Sequence, residues 1–174
     1  QQNGSWSDPL EIARGLDPIA SSDRRGRVTV VVRQPQGDGG LATRRWANGT
    51  WQPLVDLTFP TQAEWTFVDD YWIAVKPRGD TVVTWGQKNN EPVSEGRMIG
   101  IVAAFRAYDG AWGPSTVVVA SKRWPDAVFM DGTGHASILD DSLIFHRGAR
   151  GQWHDPVVAP IDVDVRGAVE NTDG

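Results

Sequence analysis

The sequence predicts an all-β fold built from a repeated antiparallel unit. The first observation is a motif, Arg-x-x-x-Gly-x-Trp, that occurs at residues 45–51, 106–112 and 147–153. A shortened copy without the Arg occupies residues 3–6. The second observation is that the segments between the copies are rich in Val and Thr, whose branched side chains pack well on a pleated surface. No segment shows a helical periodicity long enough to predict a helix.

Each unit is predicted to contain four strands. A Gly precedes a β-rich stretch in every unit, at Gly26, Gly79 and Gly134. These residues are expected to form the turn between the first and second strands, and a loop then leads to the third. The motif supplies the last hairpin, since Asn48-Gly49 and Asp109-Gly110 tolerate the positive φ angles of a two-residue type I′ turn. In this hairpin an Arg-bearing strand pairs with a Trp-bearing strand.

The period of the repeat favours a β-propeller. The motif Trp residues lie at positions 6, 51, 112 and 153, and their intervals bracket the ~40–50 residues of one propeller blade. The longest interval contains an insertion at residues 87–100, for which an extended polar connection is expected. Antiparallel four-stranded units at this period are typical of blades arranged around a central axis.

We therefore predict a single domain over residues 1–174, a β-propeller or part of one with about three and a half blades. The units are approximately residues 13–56, 57–120 and 121–160, with partial blades at both ends. Natural proteins avoid open strand edges, which leaves three alternatives. Either the two ends combine into one blade, or a second copy or another chain completes the ring, or the sequence is a fragment such as half a propeller.

The layout resembles bacterial β-propeller repeats in which each blade ends in a Gly-x-Trp-x-x-Pro segment, as in sialidase-like and lectin-like propellers. A Pro follows each motif Trp here, at Pro9, Pro53, Pro114 and Pro156. The resemblance covers nearly the whole chain, and it implies a propeller fold and a secreted or extracellular location. The activity that it implies is either glycan recognition or glycoside hydrolysis.

Composition excludes several other classes. The net charge is −5 and the Arg residues are interspersed with Asp and Glu, so no basic surface for nucleic acid is expected. The chain has no Cys, which excludes disulfides, thiolate zinc sites and a Cys nucleophile. No apolar stretch approaches the ~20 residues of a membrane span. The His residues lack a spacing that specifies zinc, and neither a metal nor a cofactor is predicted.

The candidate ligand residues are aromatic and basic. Sugars present apolar C–H faces beside hydroxyl groups, so an aromatic ring and charged hydrogen-bonding side chains suit them. The motif Trp residues are expected to pack between blades. The predicted ligand-binding residues, placed in pockets between blades, are Arg45, Trp46, Arg106, Tyr108, Arg123, Trp124 and Arg147. The alternative for the motif Arg residues is a structural bond to a neighbouring blade.

The sequence thus favours a carbohydrate-binding, lectin-like module over an enzyme. The alternatives are part of a sialidase-like glycoside hydrolase, or a non-catalytic protein-interaction scaffold. No catalytic residue is predicted, because the adjacent carboxylates Asp69-Asp70 and Asp140-Asp141 are expected in solvated turns. The expected partner is a glycan ligand.

Overall fold

The structure is a computed structural model that describes residues 9–34, 40–57, 65–89, 98–120, 124–148 and 151–158. Within these ranges the chain forms three antiparallel β-sheets and no helix. The predicted all-β class, with antiparallel sheets of about four strands, is confirmed. The partial blades expected at the two ends lie largely outside the described residues. The described part accordingly contains no helix that could cross a membrane.

The first sheet is formed by residues 16–57. Its strands are β1 (Leu16–Ser22), β2 (Val28–Arg33), β3 (Leu41–Ala47), β4 (Thr50–Trp51) and β5 (Val55–Leu57). β1, β2 and β3 pair in chain order, and β4 and β5 follow each other along the far edge of β3. The turn between β1 and β2 is closed by Asp23, whose Oδ1 accepts the N–H groups of Arg25 and Arg27 at 2.8 and 3.1 Å. Gly26 in this turn has a φ of 72°, as the predicted Gly turn requires.

The second and third sheets are simple meanders. The second contains β6 (Trp65–Val75), β7 (Thr81–Asn89), β8 (Met98–Arg106) and β9 (Thr116–Val119), and the third contains β10 (Ala127–Met130), β11 (Ala136–Asp140), β12 (Leu143–Arg147) and β13 (Val157–Val158). In both sheets each strand pairs with the next one along the chain. Gly79 and Gly134 lie between the first two strands of their sheets with φ angles of 103° and 94°.

Two local expectations are corrected by the structure. Part of the insertion at residues 87–100 is strand, because residues 87–89 continue β7 and residues 98–100 continue β8. Residues 90–97 lie outside the described ranges. The carboxylates Asp69 and Asp70 lie within β6, where irregular pairing around them accommodates the pair in an edge strand. Asp140 ends β11 and is buried, so a solvated turn is found only at Asp141.

The second sheet lies between the other two and is buried on both faces. Neighbouring residues in a strand point to opposite faces, so the fully buried Val82 and Val83 of β7 contact different sheets. Val83 and Trp85 pack with residues of the first sheet, namely Val31, Leu41 and Leu57. Val82 and Ile101 pack with residues of the third sheet, namely Met130, Ile138 and Phe145. Apolar packing on both faces therefore holds the three sheets together in chain order.

The motif Trp residues pack on the faces of the sheets. Trp112 packs on the cluster between the first and second sheets, and Trp153 packs on the cluster between the second and third. Trp51 packs on the outer face of the first sheet, beside Val30 and Val32. The position expected from the sequence, between neighbouring sheets, is thus found for Trp112 and Trp153.

The first motif differs in register from the other two. In the later motifs Arg pairs with Trp, as Arg106 with Trp112 and Arg147 with Trp153. In the first motif Trp51 pairs instead with Trp46. The cause is a two-residue turn at Asn48 and Gly49, with φ angles of 53° and 78°, which shortens the hairpin loop by one residue. Arg45 therefore points to the face opposite Trp51, toward the second sheet.

Contact between the sheets should dominate stability. Leu41 has no exposed surface and packs between the first and second sheets, whereas Leu54 is 45% exposed. We expect Leu41→Ala to lower the free energy of unfolding by about 2–5 kcal/mol, because it removes buried contacts and leaves a cavity. The matched variant Leu54→Ala should cost less than about 1 kcal/mol. Urea denaturation followed by circular dichroism measures both, and equal losses would contradict this packing.

Candidate functional site

A cavity of about 260 Å³ opens between the first and second sheets. The first sheet, with the connection between β4 and β5, contributes Thr43, Arg45, Gln52, Pro53 and Val55. The second sheet, with the hairpin after β8, contributes Arg106, Asp109, Gly110, Ala111 and Trp112. The second motif hairpin therefore forms one wall, and β3 with its following segment forms the other. The short turn of the first motif matters here, because its register is what turns Arg45 toward this cavity.

Arg106 is the most buried charged group of the cavity, with 7% of its surface exposed. Its Nη2 donates to Thr29 Oγ1 of the first sheet at 3.0 Å and to Thr81 Oγ1 of the second at 3.1 Å. The guanidinium carbon lies 5.0 Å from the centroid of the Trp112 ring, within the range of a cation–π contact. Arg106 thus joins the two sheets through hydroxyl groups and a ring.

The positive charge at this position is not balanced. The ion pairs among the described residues do not include Arg106 or Arg45. Burial, and after it the charges of Arg45 and Arg27, lower the pKa of Arg106 to about 10. The side chain is therefore still protonated at neutral pH, and a buried charge without a partner is costly.

Two buried N–H groups beside the cavity also lack acceptors. Arg106 Nε and Trp112 Nε1 are both buried and have no hydrogen-bond partner in the described structure. An unsatisfied buried donor costs about 1–3 kcal/mol. By contrast, the indole N–H of the fully buried Trp85 donates to Gln87 Oε1 at 2.9 Å. The wall of the cavity therefore has two buried donors without acceptors.

Arg45 also contacts Tyr108, which does not line the cavity. Arg45 Nη1 donates to the backbone carbonyl of Tyr108 at 3.0 Å. The Tyr108 side chain is occupied elsewhere, because its ring lies 4.1 Å from the guanidinium carbon of Arg27 and its hydroxyl accepts from Arg25 Nη1 at 2.7 Å. Of the predicted residues, Arg45 and Arg106 line the cavity, and Tyr108 contacts Arg45 only through its backbone carbonyl.

The other predicted ligand residues lie elsewhere. Trp46 packs edge to face on Trp51, with the ring centroids 5.5 Å apart, on the outer face of the first sheet. Arg147 lies 4.0 Å over the Phe105 ring between the second and third sheets, where burial lowers its pKa. Trp124 is half-buried just before β10, and Arg123 lies outside the described residues. A ligand role for these four residues stays a prediction.

The sequence reasoning missed the residues that support the cavity. The sequence predicts only a packing role for Trp112, although this residue also lines the cavity. Arg27 lies over the Tyr108 ring and forms an ion pair with Asp23, whose side chain is 1% exposed. The run 24–27, with three arginines around a Gly turn, was the available signal. Its partner could not be read from the sequence, because Tyr108 belongs to another sheet.

The lining of the cavity offers hydrogen-bond donors and an aromatic ring. Asp109 is the one carboxylate among its lining residues, whereas glycoside hydrolysis usually requires two carboxyl groups across the scissile bond. In the described ranges no three His, Cys, Asp or Glu side chains lie close enough to hold a metal ion. The donors and the aromatic ring are suited to holding a ligand with acceptor oxygens.

Comparison with known proteins adds no assignment. No model of a known protein family matches this sequence, and no curated protein matches it.

The lowered pKa of Arg106 should be visible in the pH dependence of stability. Above the folded pKa of about 10 and below the higher pKa of an ordinary Arg, the unfolded chain keeps a proton that the folded chain releases. The free energy of unfolding then rises with pH in this range, relative to a chain without the group. We expect the stability of the wild type relative to Arg106→Met to increase from about pH 9 to about pH 11.

Urea denaturation of both proteins at each pH measures the difference between their free energies of unfolding. Groups that titrate equally in the two proteins do not contribute to this difference. A difference that stays constant over the range would show that Arg106 is not buried as a cation.

Proposed function

We propose that this chain is a carbohydrate-binding, lectin-like module of a secreted β-propeller, with its ligand in the cavity between the first two sheets. The observation that carries the proposal is the cavity itself, in which the Trp112 ring lies 5.0 Å from the guanidinium carbon of Arg106 and Arg45 is a further lining residue. An aromatic ring suits the apolar face of a sugar. Charged donors suit its oxygen atoms.

The size of the cavity supports a small ligand. Sites for drug-sized molecules usually enclose about 300–1,000 Å³, and this cavity has about 260 Å³. A single sugar residue at the end of a glycan is therefore the best match. Gln52 and Thr43 add neutral hydrogen-bonding groups to the lining, which hydroxyl groups of a sugar could use.

The packing of the sheets supports the propeller part of the proposal. Each sheet stacks on the next in chain order, and a motif Trp packs in each of the two interfaces. Blades of a propeller are expected to pack in this way. A closed ring would need further sheets against the outer faces of the first and third, supplied by residues outside the described ranges or by another chain.

The alternative functions have less support. A glycoside hydrolase needs converging carboxylates, and the cavity has only Asp109. A protein-interaction scaffold needs a contiguous exposed apolar patch. The most exposed apolar residues of the described part are spread over several strands and the N-terminal segment, as Leu10, Leu16, Trp72 and Val158 illustrate.

Binding tests the proposal directly. A glycan array should identify a ligand, and calorimetry should then show saturable binding. We expect Trp112→Leu to weaken binding at least tenfold, about 1.4 kcal/mol, because it removes the ring in the cavity wall. The matched control is Trp72→Leu, since Trp72 lies on the opposite side of the second sheet and donates to the Pro125 carbonyl.

Thermal unfolding shows whether both variants are folded. The proposal fails if the folded wild type binds no glycan, or if the two variants bind equally well.

A further inference from the structure

We infer that the ligand of the cavity between the first and second sheets carries an aromatic ring, which lies against the guanidinium groups of Arg45 and Arg106. The inference rests on the proposed function, since it names a part of the ligand that the same cavity holds. Its basis is a comparison of the two interfaces between the sheets. One interface contains, as part of the chain, the ring that we expect the ligand to supply in the other.

The two interfaces are related by the pairing of the motif Trp residues. Trp112 of the second sheet pairs with Arg106, and Trp153 of the third sheet pairs with Arg147. Each Trp packs on the apolar cluster between its own sheet and the preceding one. Arg106 and Arg147 therefore occupy equivalent positions, one in each interface.

The preceding sheet supplies an aromatic ring to Arg147. Phe105 of β8 packs on the cluster between the second and third sheets, and the guanidinium carbon of Arg147 lies 4.0 Å from the centroid of its ring. A guanidinium group at this distance gains from a cation–π contact. The ion pairs among the described residues do not include Arg147. The ring of Phe105 thus covers this cation where a carboxylate does not.

In the first interface, Arg45 stands at the position of this ring. Strand pairing makes Trp46 equivalent to Arg106, because each pairs with the motif Trp of its own sheet. The residues directly before them, Arg45 and Phe105, are therefore equivalent as well. Arg45 lines the cavity together with Arg106 and Trp112. The cavity is thus found beside the position at which the second interface has a ring.

An aromatic ring suits two neighbouring cations. The faces of such a ring carry partial negative charge, so each face attracts a guanidinium group. Besides burial, which is the larger cause, the charge of Arg45 lowers the pKa of Arg106, as expected for two cations that repel each other. A ring between them offsets this repulsion. The cavity of about 260 Å³ is also large enough, because a protein cavity of about 150 Å³ holds benzene.

Replacement of Arg45 tests the inference without a ligand. Arg45→Phe places a ring at the position equivalent to Phe105, and Arg45→Leu removes the same charge without adding a ring. We expect Arg45→Phe to melt about 2–4 °C above Arg45→Leu. Arg44→Phe and Arg44→Leu are the control pair, because Arg44 points to the opposite face of β3 and donates to the Ile12 carbonyl. Equal melting temperatures of the Arg45 variants, or an equal difference in the control pair, would overturn the inference.

A matched pair of glucosides tests the ligand itself. Phenyl β-glucoside and cyclohexyl β-glucoside share the sugar and a ring of six carbons, but only the phenyl ring is aromatic. We expect the phenyl glucoside to bind at least fivefold more tightly in calorimetric titrations. Arg45→Met should remove most of this preference, because it replaces the cation with an apolar side chain. Arg33→Met should leave the preference unchanged, since Arg33 pairs with Asp17 and neither residue lines the cavity.

The outcomes separate this inference from the proposed function. Equal binding of the two glucosides would overturn the aromatic ring and leave the carbohydrate site. Binding of benzyl alcohol as tightly as the phenyl glucoside would support the ring and overturn the carbohydrate site. If neither glucoside binds, the melting temperatures of the Arg45 variants decide the inference, because that comparison needs no ligand.

Discussion

The second sheet is apolar on both faces, and the rest of the structure depends on covering it. In β7 the consecutive residues Val82, Val83, Thr84 and Trp85 are all fully buried. Such a strand cannot lie at a water-exposed surface, so a sheet must pack on each side of it. The first and third sheets meet this need, because each covers one face of the second sheet. The cavity lies at the polar end of one of these interfaces.

The change from the apolar core to the polar lining of the cavity takes place along single strands. In β2 and β3, Val31 and Leu41 belong to the core, while Thr29 and Arg45 at the other ends of the strands face Arg106 and the cavity. The same alternation that buries the valines therefore positions the polar groups. Thr43, Arg45, Val55 and Arg106 are held in position by paired strands, and the rest of the lining comes from the connections beside them. Arg27 follows the turn at Gly26, and its guanidinium group packs on the Tyr108 ring. Gly79 lies close to both side chains.

Local features of the sequence were sufficient to predict the sheets. Gly turns, β-branched segments and hairpin dipeptides act over a few residues, and they predicted strands, turns and an antiparallel arrangement. The site depends on contacts between distant segments, so the sequence could name Arg45 and Arg106 as separate candidates but could not show that they share a cavity. The Asp69-Asp70 pair was misplaced for a related reason, since the pairing of β6 with β7 overrides the turn preference of Asp.

The unequal hairpin turns have a consequence for the design of proteins from this repeat. A sequence alignment of the motifs superposes Arg45 on Arg106, because the Arg-to-Trp spacing is the same in both. The strand pairing superposes Trp46 on Arg106 instead. A consensus unit derived from the sequence alignment would therefore assign one residue to positions that face opposite sides of the sheet. One copy would then lose the Trp46–Trp51 contact, or another would lose the buried Arg106. Units should be aligned by their pairing partners before they are exchanged or averaged.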